Sequence, residues 1–152
     1  MSEEALEKII KEKISADHLL YVSMKYTKTC DVIINLLKRW KIMIDYAFDG
    51  LLDKAKKKKL VKQLPNAPKL RIDTINKIFK NNKEVMDVLE LYDIFRLIDN
   101  LSKTKEGEFR KGVCLRILYR QREVAVNLEK LKEYSDILER FINFVKLFIL
   151  SK

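Results

Sequence analysis

Apolar residues recur at steps of three and four along the first third of the chain. The pattern begins at Leu19 and continues to Leu51, and this spacing places one apolar stripe along one face of an α-helix. Unbroken, such a helix would have about nine turns. Thr27 to Asp31 is one candidate break, since threonine and aspartate favour helix ends, and Gly50 is another. The stripe comprises Leu19, Val22, Tyr26, Cys30, Ile33, Leu37, Trp40, Ile44, Ala47 and Leu51.

Shorter apolar repeats predict helices on both sides of this stripe. A first helix begins at the glutamates Glu3 and Glu4 and ends at about Ile14, because acidic residues favour a helix start. Two segments rich in loop-forming residues, Leu64–Pro68 and Thr104–Glu108, are predicted loops. The remaining predicted helices are Asp73–Lys80, Glu84–Leu101 and Phe109–Leu150.

The last predicted helix carries a second long apolar seam. Its residues from Ile137 to Leu150 are the most apolar of the chain, but Glu139, Arg140 and Lys146 interrupt them. A membrane span needs about 18 or more consecutive apolar residues, so we expect a core or interface helix instead. The seam comprises Cys114, Ile117, Gln121, Val124, Leu128, Leu131, Tyr134, Leu138, Phe141, Val145 and Phe148.

The chain of 152 residues is predicted to be one domain, spanning residues 1–152. Only 3 glycines and 2 prolines are present, which argues against turn-rich β folds. We therefore expect an all-α fold, an up-and-down helical bundle of about four to five helices with two long helices as its spine. The long helices offer more apolar surface than this bundle needs, which predicts a homodimer.

Positive charge is concentrated in one segment. The formal net charge is +10, and a Lys- and Glu-rich, Gln-poor composition is compatible with a thermophile. Between Leu51 and Ile72, eight cations stand against Asp53 alone. We expect this surface to bind RNA or an acidic protein, and the alternative is a solvated helix terminus whose cations suit the helix dipole. The cations are Lys54, Lys56, Lys57, Lys58, Lys59, Lys62, Lys69 and Arg71.

A second group of basic residues lies in the first third of the last predicted helix. On one continuous helix, Arg116 and Arg120 share a flank with Glu123. Arginine forks bind phosphates and carboxylates alike. Arg116 and Arg120 are therefore either secondary nucleic-acid contacts or members of intramolecular ion pairs. The group comprises Arg110, Lys111, Arg116, Arg120 and Arg122.

Composition excludes most catalytic and metal-binding arrangements. His18 is the only histidine, so a Ser-His-Asp triad and a Glu-x-x-His di-iron site have no candidates, and we expect no metal and no cofactor. Cys30 and Cys114 lie in no CxxC pattern and are predicted to be buried free thiols. Trp40 lies on the apolar stripe and is predicted to be in the core. No signal peptide or membrane span is visible, so we expect a cytoplasmic protein without a membrane partner.

The C-terminal third resembles a known family. The stretch Leu118-Tyr-Arg-Gln-Arg-Glu-Val-Ala-Val-Asn-Leu-Glu129, with the amphipathic segment that follows to Phe148, is similar to the late helices of HEPN-domain proteins. The resemblance implies a bundle of about four to five helices that often dimerises. Some members are ribonucleases of toxin–antitoxin systems, and others bind RNA or proteins without activity. The active pattern of the family is an arginine followed, after about four to six residues, by a histidine.

Arg120 and Arg122 both have this spacing to Asn127. On a continuous helix, Arg120 and Asn127 differ by about 20°, so they form the better pair. Asparagine stands where the family has histidine, and its amide cannot act as a general acid or base at neutral pH. The resemblance therefore implies binding without catalysis.

Three functions follow as hypotheses. The first is a non-catalytic, HEPN-like module that binds RNA or an acidic protein through the basic segment. The second is a HEPN-type ribonuclease in which Arg120 and Asn127 act across a dimer interface. The third is a structural protein that oligomerises through the apolar helix of residues 137–150, with Phe141 and Phe148 in the contact.

Overall fold

Helices packed around a long central helix, with a small antiparallel sheet at one end, make up the fold. This computed structural model describes residues 2–152. The helices are α1 (Ser2–His18), α2 (Met24–Tyr26), α3 (Cys30–Lys57), α4 (Pro68–Ile78), α5 (Lys83–Leu97) and α6 (Leu128–Leu150). The strands are β1 (Lys103–Glu106), β2 (Cys114–Tyr119) and β3 (Arg122–Asn127), and they pair in the order β1-β2-β3.

The predicted all-α class is correct only in part, because the mostly helical chain also contains this sheet. The predicted helix Phe109–Leu150 is wrong in its first half, which forms β2 and β3, and the predicted loop Thr104–Glu108 includes most of β1. Alternate positions such as Leu115 and Ile117 are fully buried, as the two-residue period of a strand requires. Arg120 and Gln121 join β2 to β3 with φ angles of 48° and 64°, the backbone of a two-residue hairpin turn.

The first helix extends beyond its predicted end at Ile14. It continues through α1 into a π-helical turn at Leu19–Ser23 and then α2. The predicted break at residues 27–31 is confirmed, because Thr27 leaves the helical conformation and Thr29 caps α3. The Thr29 hydroxyl accepts a hydrogen bond from the backbone nitrogen of Val32 at 3.4 Å. Gly50 does not interrupt α3.

The two shorter helices are confirmed with shifted bounds. α4 begins at Pro68, since proline fits the first helical turn, where no backbone hydrogen bond is lost. α5 begins after Asn82, whose side chain accepts a hydrogen bond from the backbone nitrogen of Val85 at 3.0 Å. It ends at Leu97, before the predicted Leu101.

The core surrounds α3 and is rich in aromatic rings. Phe48, Phe95 and Phe141 are among the largest fully buried side chains. Trp40 contacts Phe95 and Tyr134, with ring centroids 5.9 and 6.4 Å apart, so its predicted core position is confirmed. Because Phe141 belongs to this core, it is not available for the oligomer contact that the third hypothesis assigned to it.

α3 connects two different ends of the molecule. At its C-terminal end it meets the end of α6, where Gly50 packs against Ile149. At its N-terminal end it meets the sheet, where the Cys30 thiol donates a hydrogen bond to the carbonyl oxygen of Cys114 at 3.3 Å. Both cysteines are buried and free, as predicted. Burial, together with the nearby Glu108 carboxylate, raises the pKa of Cys30 to about 12.

Candidate nucleic-acid interface

Six lysines occupy the nine residues that end α3 and begin the following loop. We call Lys54, Lys56, Lys57, Lys58, Lys59 and Lys62 the basic end. The helix closes with two hydrogen bonds, from the backbone nitrogen of Leu60 to the oxygen of Ala55 at 2.9 Å and from Lys59 to Lys56 at 3.0 Å. This is the Schellman arrangement, which places the residue after the cap in the left-handed region and favours glycine there. Lys59 occupies that position with a φ of 62°.

The lysines of the basic end are mostly exposed and not neutralised. Lys56, Lys57, Lys59 and Lys62 are exposed, and Lys54 is half-buried. Within residues 2–152, none of these five ammonium groups forms an ion pair with a carboxylate. The negative end of a helix dipole corresponds to about half a unit charge, which is far less than the charge of this cluster. The basic end therefore has an excess of positive charge that the fold does not balance.

Lys58 connects the basic end to α6. Its ammonium group lies 5.3 Å from the ring centroid of Phe148 and donates a hydrogen bond to the carbonyl oxygen of Lys152 at 3.1 Å. The same Phe148 ring contacts Phe79, at the end of α4, with 5.2 Å between centroids. Lys80, the next residue, is exposed. The Phe148 ring therefore joins Lys58 to the end of α4.

The two remaining cations of the predicted segment have different surroundings. Lys69 is exposed in the first turn of α4. Arg71 is turned toward α3, where it pairs with Asp45 and, at 2.9 Å, with Asp49. It also donates a hydrogen bond to the Tyr92 hydroxyl at 3.2 Å, and that hydroxyl donates one to Asp45 at 2.6 Å. Arg71 therefore has most of its hydrogen-bonding capacity in use inside the molecule.

This half-buried cluster alters the ionisation of its members. Burial and the hydrogen bond to Asp45 raise the pKa of Tyr92 to about 12. Burial opposes the charge of Arg71, but the contacts with Asp45 outweigh it and raise the arginine pKa. Arg71 is thus held in its charged form as a structural cation between α3, α4 and α5.

A cleft of about 280 Å³ lies beside Arg71, between α1, α3 and the loop before α4. Its lining combines the cations Lys8 and Arg71 with the carboxylates of Asp49 and Asp53, and Tyr46 forms part of its wall. Because acidic and basic groups share this small space, the cleft does not favour a polyanion.

Arg116 lies on the sheet and is paired. Its guanidinium group forms ion pairs with Glu106 of β1 at 2.8 Å and with Glu123 of β3 at 2.6 Å. Each glutamate lies two residues along its strand from the residue directly opposite Arg116. The ion-pair interpretation of Arg116 is therefore confirmed. The sheet packs against the first turn of α3, so the length of this helix, roughly 40 Å, separates Arg116 from the basic end.

Arg120, Arg122 and Asn127 lie on the β2–β3 hairpin, so the predicted helical relationship between them is wrong. Arg120 is in the turn and is 77% exposed, and Arg122 begins β3. Asn127 ends β3 and caps α6, its amide oxygen accepting a hydrogen bond from the backbone nitrogen of Lys130 at 2.8 Å. The length of β3 places Asn127 about 17 Å from Arg122. The motif residues are not brought together within one chain.

The pattern of the sequence did not reveal a polar cluster at the hairpin turn. Tyr119 donates a short hydrogen bond to Asp93 of α5, and Arg96 contacts the same carboxylate at 2.6 Å. Arg120 lies 3.5 Å from Asp93 and 5.3 Å from the Tyr119 ring centroid. Burial opposes ionisation of Asp93, but the hydrogen bonds from Tyr119 and Arg96 outweigh it and lower its pKa. Sequence patterns relate only residues that are near each other along the chain, so none of them could connect Asp93 to Tyr119 and Arg120.

Across the described residues, no group of three or more His, Cys, Asp or Glu side chains could hold a metal ion. No helix in this part of the chain is long and apolar enough to cross a membrane.

The chain was also compared with known proteins. No family model, no curated protein and no solved structure matches it. A function for this chain therefore rests on its own residues.

Proposed function

We propose that this chain is a non-catalytic, HEPN-like module that binds RNA through the basic end of α3. The observation that carries the proposal is the group of exposed lysines without acidic partners at one helix end. Lysine ammonium groups on flexible stems suit the phosphate backbone, which they contact as point charges without reading sequence. Sequence-independent, salt-dependent binding is the expected mode.

Lys59 adds a second argument. A side chain in the left-handed region costs about 1 kcal/mol relative to glycine, and Lys59 bears this cost at the point where glycine would relieve it. Its exposed ammonium group makes no ion pair in the described structure. Retaining a charge at a strained position is consistent with a role for that charge in binding.

The absence of catalysis is supported by Asn127 and Arg120. The Asn127 amide is engaged as a helix cap, and an amide cannot transfer protons at neutral pH. Arg120 is directed toward Asp93 and Tyr119 at the other end of β3. RNA bound at the basic end is therefore expected to stay intact.

The test compares two variants with the same change in net charge. Lys56→Glu, Lys57→Glu and Lys59→Glu together reverse the basic end, and Lys83→Glu, Lys111→Glu and Lys132→Glu reverse three lysines elsewhere. Binding of a labelled single-stranded RNA is followed by fluorescence anisotropy at several salt concentrations, with gels to monitor its integrity and circular dichroism to confirm folding.

We expect the first variant to lose affinity and the control to keep most of it. For single strands, the logarithm of the binding constant falls with the logarithm of salt by about 0.7 per phosphate neutralised, so the first variant should also show a shallower slope. Equal losses in both variants would reject a localised site. No binding by the unchanged chain at low salt would instead point to an acidic protein partner, and cleavage of the RNA would support the ribonuclease hypothesis.

A further inference from the structure

An exposed apolar stripe runs along the outer face of α1, the π-helical turn and α2. Its most exposed members are Ile14, at 65%, and Tyr26, at 78%. Ile10, Tyr21 and Val22 extend it, each at least two-fifths exposed. The opposite face of the same helix is buried in the core. Contiguous apolar surface of this kind on a folded chain indicates an interaction site.

The π-helical turn keeps this stripe straight. In an α-helix, each step of four residues advances roughly 40° beyond a full turn, so a row with that spacing drifts around the helix. The turn at Leu19–Ser23 is wider, with the backbone nitrogen of Met24 bonded to the oxygen of Leu19. The wider turn compensates for this drift. Met24 therefore stays on the buried face of the helix, and Tyr26 stays in line with Ile14 on the exposed face.

Charge is distributed unequally along this outer face. Glu3 and Glu7 lie at its N-terminal end, in line with Ile10 and Ile14 by helical spacing. Neither glutamate forms an ion pair within the described residues. The other end is basic, because Lys25 holds its ammonium group 5.9 Å from the Tyr26 ring centroid and Lys28 follows it.

We propose that a second copy of this chain covers the stripe, with the two α1 helices packed antiparallel about a two-fold axis near Ile14. An antiparallel copy places the acidic end of each helix, at Glu3, next to the basic end of the other, at Lys25, because each lies eleven residues from Ile14. A parallel copy would oppose like charges. In the antiparallel arrangement Ile14 contacts its own equivalent, and Ile10 lies opposite His18, as expected for a self-complementary surface. This dimer does not depend on the basic end of α3 and goes beyond RNA binding.

The experiment measures the mass of the intact chain in solution by light scattering and sedimentation over a range of concentrations. We expect a dimer for the unchanged chain. Ile14→Glu places two carboxylates at the axis and should give a monomer at concentrations where the unchanged chain is dimeric. Leu147→Glu is the matched control, since Leu147 of α6 is 72% exposed outside the stripe and its change should leave the dimer intact.

A charge exchange tests the antiparallel arrangement itself. Glu3→Lys and Lys25→Glu should each weaken the dimer, and the two changes in one chain should restore it. A chain that is monomeric at all concentrations overturns the proposal. A dimer that persists in Ile14→Glu overturns the interface, and a double variant as weak as either single one overturns the antiparallel orientation.

Discussion

Gly50 of α3 and Ile149 of α6 approach so closely that a larger residue at position 50 would displace the end of the Ile149 side chain. A Cβ atom added to Gly50 would lie 2.7 Å from the Cδ1 atom of Ile149 and 3.1 Å from the Cβ atom of Ala5. Contacts of that length force a neighbour to move. The absence of a side chain at Gly50 therefore lets α1, α3 and α6 meet at one point.

A double-mutant cycle measures this contact. Alanine is a better helix former than glycine by about 1 kcal/mol, but the crowding opposes that gain. Ile149→Val removes the Cδ1 atom that lies closest to position 50. The change in the free energy of unfolding caused by Gly50→Ala should therefore be more favourable, by roughly 0.5–1 kcal/mol, in a chain that already carries Ile149→Val than in the unchanged chain. Urea denaturation of the four chains gives this difference directly. Strictly additive effects would show that Ile149 does not restrict position 50.

Gly107 is required by both its backbone angle and its surroundings. Its φ is 63°, and an added Cβ atom would lie 2.5 Å from the carbonyl oxygen of Gly112. Gly107→Ala should lower the free energy of unfolding by more than about 1 kcal/mol. Gly112→Ala is the control, because a Cβ atom there has no neighbour within 4 Å. Chemical denaturation should show a clear loss for the first variant and a small change for the second.

Glu108 stabilises the start of α3 in a pH-dependent way. Its carboxylate accepts a hydrogen bond from the backbone nitrogen of Cys30 at 2.9 Å, and hydrogen bonding from Cys30 lowers the pKa of Glu108. The stabilisation is therefore present above the ordinary pKa of 4.5 and is lost as the pH falls through the lower folded value.

Thermal melts at a series of pH values test this dependence. Glu108→Ala should lower the melting temperature near neutral pH, and the difference from the unchanged chain should shrink in acid, below the folded pKa. Glu108→Gln keeps an acceptor without the charge and should have an intermediate effect. A difference that is constant across the whole pH range would contradict a contribution from the charged carboxylate.

Lys59 offers a way to separate stability from binding. Lys59→Gly relieves the left-handed backbone and should raise the free energy of unfolding by about 0.5–1 kcal/mol, while RNA affinity falls because one charge is lost. Lys56→Ala removes a charge at a helical position without relieving strain, so it should weaken RNA binding without the same stabilisation. If Lys59→Gly bound RNA as tightly as the unchanged chain, Lys59 would not contact the phosphates.

The sequence predicted the helices whose apolar residues face one core. The apolar residues Leu37, Trp40 and Ile44 predict α3 correctly, because the positions that the helical repeat marks as apolar are also the buried ones over many turns. The same three- and four-residue steps also connect Cys114, Ile117, Gln121 and Val124, although Gln121 lies in the hairpin turn and the other three lie on strands. Over so short a segment, the helical repeat and the two-residue repeat of a strand can place apolar residues at the same positions. The Arg120–Gln121 turn also lacks the Asn-Gly pair that marks most two-residue hairpins.

The candidate site was predictable where it depends on sequence neighbours. The basic end is continuous along the chain, so its charge could be read directly. Arg71 could not be separated from its lysine neighbours, because Asp45 and Tyr92, which hold it, lie more than 20 residues away on each side. The exposed surface beside Ile14 was not predicted. Val22 and Tyr26, which the sequence pattern assigned to the buried face of one long helix, are exposed there, because an exposed apolar residue differs from a buried one only in the packed structure.

The hydrogen bond between Glu108 and Cys30 joins residues 78 positions apart. Closing so long a loop costs more chain entropy than forming the turns within α1 or α3, so this contact should be missing from the folding transition state. Glu108→Ala would then leave the refolding rate nearly unchanged and accelerate unfolding. The first turn of α3 would be the last part of that helix to be fixed as the chain folds, and the first to be released when it opens.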